Sequence, residues 1–185
     1  MKRFMFFLIL VANYHVMFSQ ENMMVFFTNA TKDSVAVYSD AVSEECFVKV
    51  KEDEQKEVYF DVEILEKSEK RYKVKIYSFN DNNAEPILGW VDKEQCGVWL
   101  HGRYIKDNFW VVQLYEKPGY AEPIIRLTDT FLDEFGKYSN NSPVFVLDYI
   151  VYKGKYWIKT AVTKNKKRFV GWTRDYCPIK YYSCN

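Results

Sequence analysis

Lys155-Tyr156-Trp157-Ile158-Lys159-Thr160, followed by Val170-Gly171-Trp172-Thr173, decides the fold, because the chain spells nearly the same pair of blocks once before. Arg71-Tyr72-Lys73-Val74-Lys75-Ile76 and Leu88-Gly89-Trp90-Val91 stand upstream in the same order. Around them, Val35-Ala36-Val37-Tyr38 answers to Val112-Gln113-Leu114-Tyr115, and Val58-Tyr59-Phe60-Asp61-Val62 to Val144-Phe145-Val146-Leu147-Asp148. Tyr38 and Tyr115 are 77 residues apart, Tyr72 and Tyr156 84, and Gly89 and Gly171 82. Offsets that drift by a few residues mean that connections changed length while strands were kept, the mark of two copies of one fold.

Each block reads as a strand. Tyr72-Lys73-Val74-Lys75-Ile76-Tyr77 alternates as a half-buried antiparallel strand does, and so does Glu57 to Ile64. Ser68-Glu69-Lys70 and Tyr152-Lys153-Gly154 fall between such strands and predict hairpin turns. Leu127, Phe131 and Phe135 recur at four-residue spacing before Gly136, which predicts a short helix in the long first loop of the second copy. Residues 101–111 form the joint. No Pro/Ser/Gly-rich linker separates the copies, so close packing is expected.

The order of blocks resembles the bacterial SH3-like domain: an opening strand ending in Tyr, a long loop, hairpin-linked strands around Trp157-Ile158-Lys159, then Gly171-Trp172. The resemblance covers residues 34–97 and 111–178, and the first copy departs from it in having Lys73 where the second has Trp157. It implies an all-β chain of two tandem SH3-like small barrels. It further implies binding of cell-wall peptide or glycan, or of a protein partner, often as an accessory to a cell-wall hydrolase; here no attached catalytic domain is expected, because the repeats take up the chain.

The chain divides into residues 1–19, 20–100 and 101–185. The first piece reads as a secretory signal: Lys2 and Arg3, the apolar run Phe4 to Ala12, then small Ser19. Its apolar core is short for a bilayer span. The expectation is an exported protein, periplasmic or extracellular, with no stable membrane insertion after signal cleavage. Charge is split between the copies. Residues 33–100 carry 9 Lys/Arg against 16 Asp/Glu, and residues 101–185 carry 14 against 8. The halves can attract each other, or the basic half can meet an anionic partner. Nucleic acid is disfavoured by export and by a near-neutral total.

Four cysteines, Cys46, Cys96, Cys177 and Cys184, are disulfide candidates in an exported chain. Cys96 and Cys177 follow the matched Gly-Trp pairs at similar distances, so Cys46–Cys96 and Cys177–Cys184 are the simplest pairing. Free buried thiols are the alternative. No Cys-x-x-Cys pair supports zinc, and no metal or cofactor is expected.

Catalytic motifs are missing from the sequence. His15 lies in the expected signal, which leaves His101, and no nucleophile-elbow or phosphate-loop signature surrounds any candidate. The expectation is a non-enzymatic binding module. Its aromatic groove would use Tyr115, Tyr149, Tyr156 and Trp172 in the second copy, with Tyr38 as the counterpart in the first, because flat rings give contact area at low entropy cost. Large aromatics are also often core, and Trp157 is expected there. Lys164, Lys166, Lys167 and Arg168 form a basic patch for an anionic partner. The alternative function is a subunit or inhibitor that docks on another exported protein.

Overall fold

The computed structural model describes residues 22–30, 32–81, 83–105, 109–128, 132 and 143–179. The expected signal segment lies outside them. Strands dominate. In the first half, β1 (Met23–Phe27), β2 (Val35–Tyr38) and β3 (Cys46–Val50) precede a meander of β4 (Phe60–Lys67), β5 (Arg71–Ser78) and β6 (Ile87–Asp92). A 3-10 turn over Lys93–Gln95 then opens β7 (Cys96–Leu100). In the second half, β8 (Arg103–Ile105), β9 (Phe109–Leu114), β10 (Ile125–Leu127) and β11 (Val144–Phe145) come first. A second meander follows, of β12 (Asp148–Tyr152), β13 (Lys155–Lys164) and β14 (Lys167–Thr173), and β15 (Tyr176–Cys177) comes last.

The alternation that predicts strands is also what buries them. Val62 and Ile64 of β4 and Tyr72, Val74 and Ile76 of β5 point into the core, while their polar neighbours stay at the surface. Each such apolar side chain contributes about 1.5–3 kcal/mol by leaving water. The ladders are antiparallel and fall into three sheets. One has nine strands in the order β11-β7-β1-β4-β5-β6-β2-β3, with β15 also on β7; the others are β10-β9-β8 and β12-β13-β14. Among the described residues none closes on itself.

The repeat is visible in the pairing. Tyr38 pairs with Trp90 in the first half, and Tyr115 with Trp172 in the second. Both Gly-Trp glycines exist for close approach. A Cβ at Gly89 would fall on Val37 and crowd Phe47, and one at Gly171 would lie 3.0 Å from Leu114 Cβ and 2.9 Å from Ile124 Cδ1. Val37 thus answers to Leu114 and Phe47 to Ile124.

β7 belongs to both halves. It closes the first by pairing with β1 (Phe26↔Gly97, Phe27↔Cys96) and opens the second by pairing with β11 (Val144↔Val98, Phe145↔Gly97). β15 then lies on β7 (Tyr176↔Leu100, Cys177↔Trp99) as β7 lies on β1. Side chains continue the union. The buried Tyr72 hydroxyl donates to Val146 O at 2.9 Å, and Lys67 Nζ reaches Asp148 Oδ1 at 2.7 Å and Tyr149 O at 2.8 Å. The Lys67–Asp148 pair runs against the charge split, a base of the acidic half meeting an acid of the basic half.

Two expectations change here. Leu127 ends strand β10, where Ile125, Arg126 and Leu127 pair with Leu114, Gln113 and Val112, so the expected helix does not include it. Phe131 and Phe135 lie outside the described residues. Cys46 and Cys96 are free thiols, so they form no disulfide with each other. Cys46 starts edge strand β3 and Cys96 starts β7, with five strands between them in the sheet order. Cys177 is disulfide-bonded; Cys184, its expected partner, lies outside the described residues.

Candidate functional site

The first half carries a cleft of about 570 Å³ between the loop that follows β2 and the β4–β5 turn. Ala41–Glu44 form one wall, Ser68–Arg71 the other, and Asp92 closes one side. The loop is built by short polar side chains. The Asp40 carboxylate accepts from Val42 N at 2.8 Å and Ser43 N at 2.7 Å, a local turn that Asp favours. Those two N–H groups hold the Asp40 carboxyl below the usual carboxylate range. The opposite wall is equally local: Ser68 N donates to Arg71 O at 2.8 Å, and Arg71 N donates to Ser68 Oγ at 3.0 Å.

Arg71 joins the walls. Its Nε donates to Asp92 Oδ1 at 2.9 Å, its Nη1 to Ser43 O at 2.6 Å and Asp40 O at 3.3 Å, and its guanidinium lies 3.4 Å from the Tyr38 ring centre. A planar fork that pairs, donates and stacks at once is work lysine cannot do. The clamp leaves Val42 at the mouth 87% exposed. The result is an apolar tip on an ordered loop, with Glu44, Glu69 and Lys70 around it.

The corresponding place in the second half is filled. Tyr115 is only 9% exposed; its hydroxyl donates to Gln113 Oε1 at 2.7 Å, and its ring stands edge-on to Trp157 at 5.6 Å. Tyr152 packs against the other side of Trp157 at 6.4 Å and covers Gly119, where a Cβ would lie 2.5 Å from its hydroxyl oxygen. Three sequence differences explain this: Lys73 becomes Trp157, Arg71 becomes Lys155, and Asp92 becomes Arg174, whose guanidinium lies 5.9 Å from the Trp157 ring. With both members of the Arg–Asp pair basic, no clamp forms and the rings occupy the space.

The four second-half aromatics expected to form a groove fall into two pairs, Tyr149 with Tyr156 and Tyr115 with Trp172, and Tyr38 lies in the first half. Tyr149 and Tyr156 are half-buried with ring centres 6.0 Å apart, and the Tyr149 ring lies tilted against Tyr72 of the first half at 5.9 Å. Burial pushes the Tyr149 hydroxyl above its ordinary value. Trp172 is half-buried and exchanges two main-chain bonds of 2.8 Å with Tyr115. Tyr38 is under Arg71, whose side chain lines the first-half cleft. Of the basic patch, Lys164 and Lys167 line a second cavity at the β13–β14 turn, while Lys166 and Arg168 do not. Arg71, Asp92, Asp40 and Val42 escaped the sequence reading, although the exchange of Arg71/Asp92 for Lys155/Arg174 between aligned blocks was a signal for them.

Two further groups bear on chemistry. Cys96 is completely buried, and burial pushes its thiol far above the ordinary range, so it supplies little thiolate. His101 stands edge-on to Trp110 at 5.3 Å. Among the described residues, no group of three or more His, Cys, Asp and Glu side chains is placed to hold a metal, and no helix is long and apolar enough to cross a membrane. No family model, curated protein or solved structure matches the chain.

Proposed function

We propose that this chain is an exported, non-enzymatic binding protein of two tandem SH3-like units that holds a short peptide, such as a cell-wall stem peptide, in the first-half cleft. The order in residues 35–100 supports the SH3-like reading: a strand, a long connection that carries β3, a three-strand meander, a 3-10 turn and a final strand. The observation that carries the function is Val42, held 87% exposed by a loop that Asp40 and Arg71 fasten on both sides. Fastening a loop before binding lowers the ordering cost of recognition. An apolar tip held on such a loop offers a partner contact area that needs no reordering. Glu44, Glu69 and Lys70 offer both signs of charge, which suits a peptide with its own ammonium and carboxylate groups.

A second reading, docking on another exported protein, has its own support. Phe47 and Leu88 are each 56% exposed, with the Phe47 ring against the glycine next to Leu88. One experiment separates the two. The purified protein is sedimented with isolated cell-wall sacculi at about 0.15 M salt, which screens loose charge attraction. Wild type should pellet, and Val42→Asp should remain in the supernatant while keeping its circular dichroism. Wild type left in the supernatant rejects the cell-wall ligand and favours a protein partner.

A further inference from the structure

β3 (Cys46–Val50) stands at the end of the nine-stranded sheet, so among the described residues one of its edges pairs with β2 and the other meets no strand. A free edge presents backbone donors and acceptors that another chain can pair with. We infer that β3 joins a second copy of this chain, antiparallel and edge to edge, about a two-fold axis at Phe47.

The side chains along β3 choose that partner. Glu45, Phe47 and Lys49 are exposed, while Val48 packs against the core and Val50 is buried. They read acid, aromatic, base at alternate positions. An antiparallel two-fold at Phe47 sets each Glu45 opposite the second copy's Lys49 and brings the two Phe47 rings together, the same patch serving on both sides. Opposite charges and paired aromatics facing each other across a ladder are stabilising, and like charges are destabilising. Parallel pairing in register would set Glu45 on Glu45 and Lys49 on Lys49, and a two-fold at either charge would oppose it to itself. Among the described residues, neither Glu45 nor Lys49 forms a side-chain ion pair within the chain.

Natural edges are blunted by proline, by charge or by a bulge. β3 has no proline, and its charges are of both signs, so they attract a copy rather than repel it. Its bulge skips Phe47, since Val48 pairs with Val37 and Cys46 with Tyr38. The residue left over is therefore an aromatic ring, 56% exposed, where a guarded edge would carry a charge. The second half lacks the pattern: β10, which answers to β3, exposes Arg126 and no acid. One five-residue strand a side is a small contact, so the expected Kd is about 0.1 mM. On the peptide-binding reading above, the dimer carries two first-half clefts and favours a polymeric target. The association itself needs no ligand.

The test is sedimentation equilibrium of the purified protein, without ligand, from about 10 µM to about 1 mM. Wild type should pass reversibly from monomer to dimer. Glu45→Lys and Lys49→Glu should each weaken association at least about tenfold, because every opposite-charge pair becomes a like-charge pair. The double exchange Glu45→Lys/Lys49→Glu should restore the dimer, which also shows that the reversed side chains leave the fold intact. Wild type that stays monomeric throughout, single reversals without effect, or a double exchange that does not restore association overturns the inference, whatever the cleft binds.

Discussion

Arg71 and Asp175 show how single residues set the two halves apart. Arg71 is a nearly covered cation that binds two carbonyls, one carboxylate and one ring. Arg71→Lys keeps the charge but not the fork or the stack, so urea unfolding should report a loss of about 1–3 kcal/mol, with peptide binding falling in step. Asp175, in the second half, has a fully buried carboxylate. Its Oδ2 accepts from Gln113 N at 2.9 Å, and its Oδ1 lies 2.6 Å from Arg103 Nε, an ion pair whose N–H is not aimed along the contact. Burial raises its pKa, against the opposing pull of Gln113 N–H and Arg103. A carboxyl raised in the fold contributes its full stability below the unfolded value and loses it as pH rises through the folded one. Wild type should therefore lose stability relative to Asp175→Asn as pH rises above about 4, and a difference that stays flat with pH would reject the perturbation.

Loops, together with a few strand residues such as Arg71, Lys73 and Asp92, carry the difference between the copies. The strand blocks were legible because their alternation is dictated by burial: Tyr72, Val74 and Ile76 are where the pattern put them. The loops were not, because their shape depends on partners far off in sequence. Leu127, Phe131 and Phe135 have a helical spacing, yet Leu127 is claimed by pairing with Val112, which no local pattern reveals. The sequence reading placed the groove in the second copy, where the Tyr115, Trp157 and Tyr152 rings pack together and fill the space between them. Gly119, at φ 82° under the Tyr152 ring, is the glycine on which that filling depends. Gly119→Ala should cost about 1–3 kcal/mol in chemical denaturation, through a left-handed backbone and a displaced ring. An unchanged midpoint would mean that Tyr152 does not close the second cleft.

At the scale of the molecule, the repeat predicted two units, and the ladders show how they are joined. β7 carries hydrogen bonds to β1, β11 and β15, so its residues are shared between the halves, and a joint placed after it on sequence alone misses this. Repetition reports which segments match; it is silent on which edge each strand offers to its neighbour. A shared strand, with Tyr72 bonded across to Val146, couples the halves, so thermal unfolding should be one transition with equal calorimetric and van't Hoff enthalpies. Two resolved transitions would show halves that fold independently. The opposite charges of the halves are not spent on holding them together at Lys67–Asp148, where the signs are reversed, and the second-half excess gathers instead at the β13–β14 turn.

The central claim is that recognition sits in the first-half cleft rather than among the second-half aromatics. Titrating a soluble cell-wall stem peptide into the nitrogen-labelled protein, and following its amide resonances, tests it most directly. The account predicts saturable shifts confined to Ala41–Glu44, Ser68–Arg71 and Asp92, abolished by Val42→Asp. Shifts centred on Tyr115, Trp157 and Trp172, or none at any concentration, would contradict it.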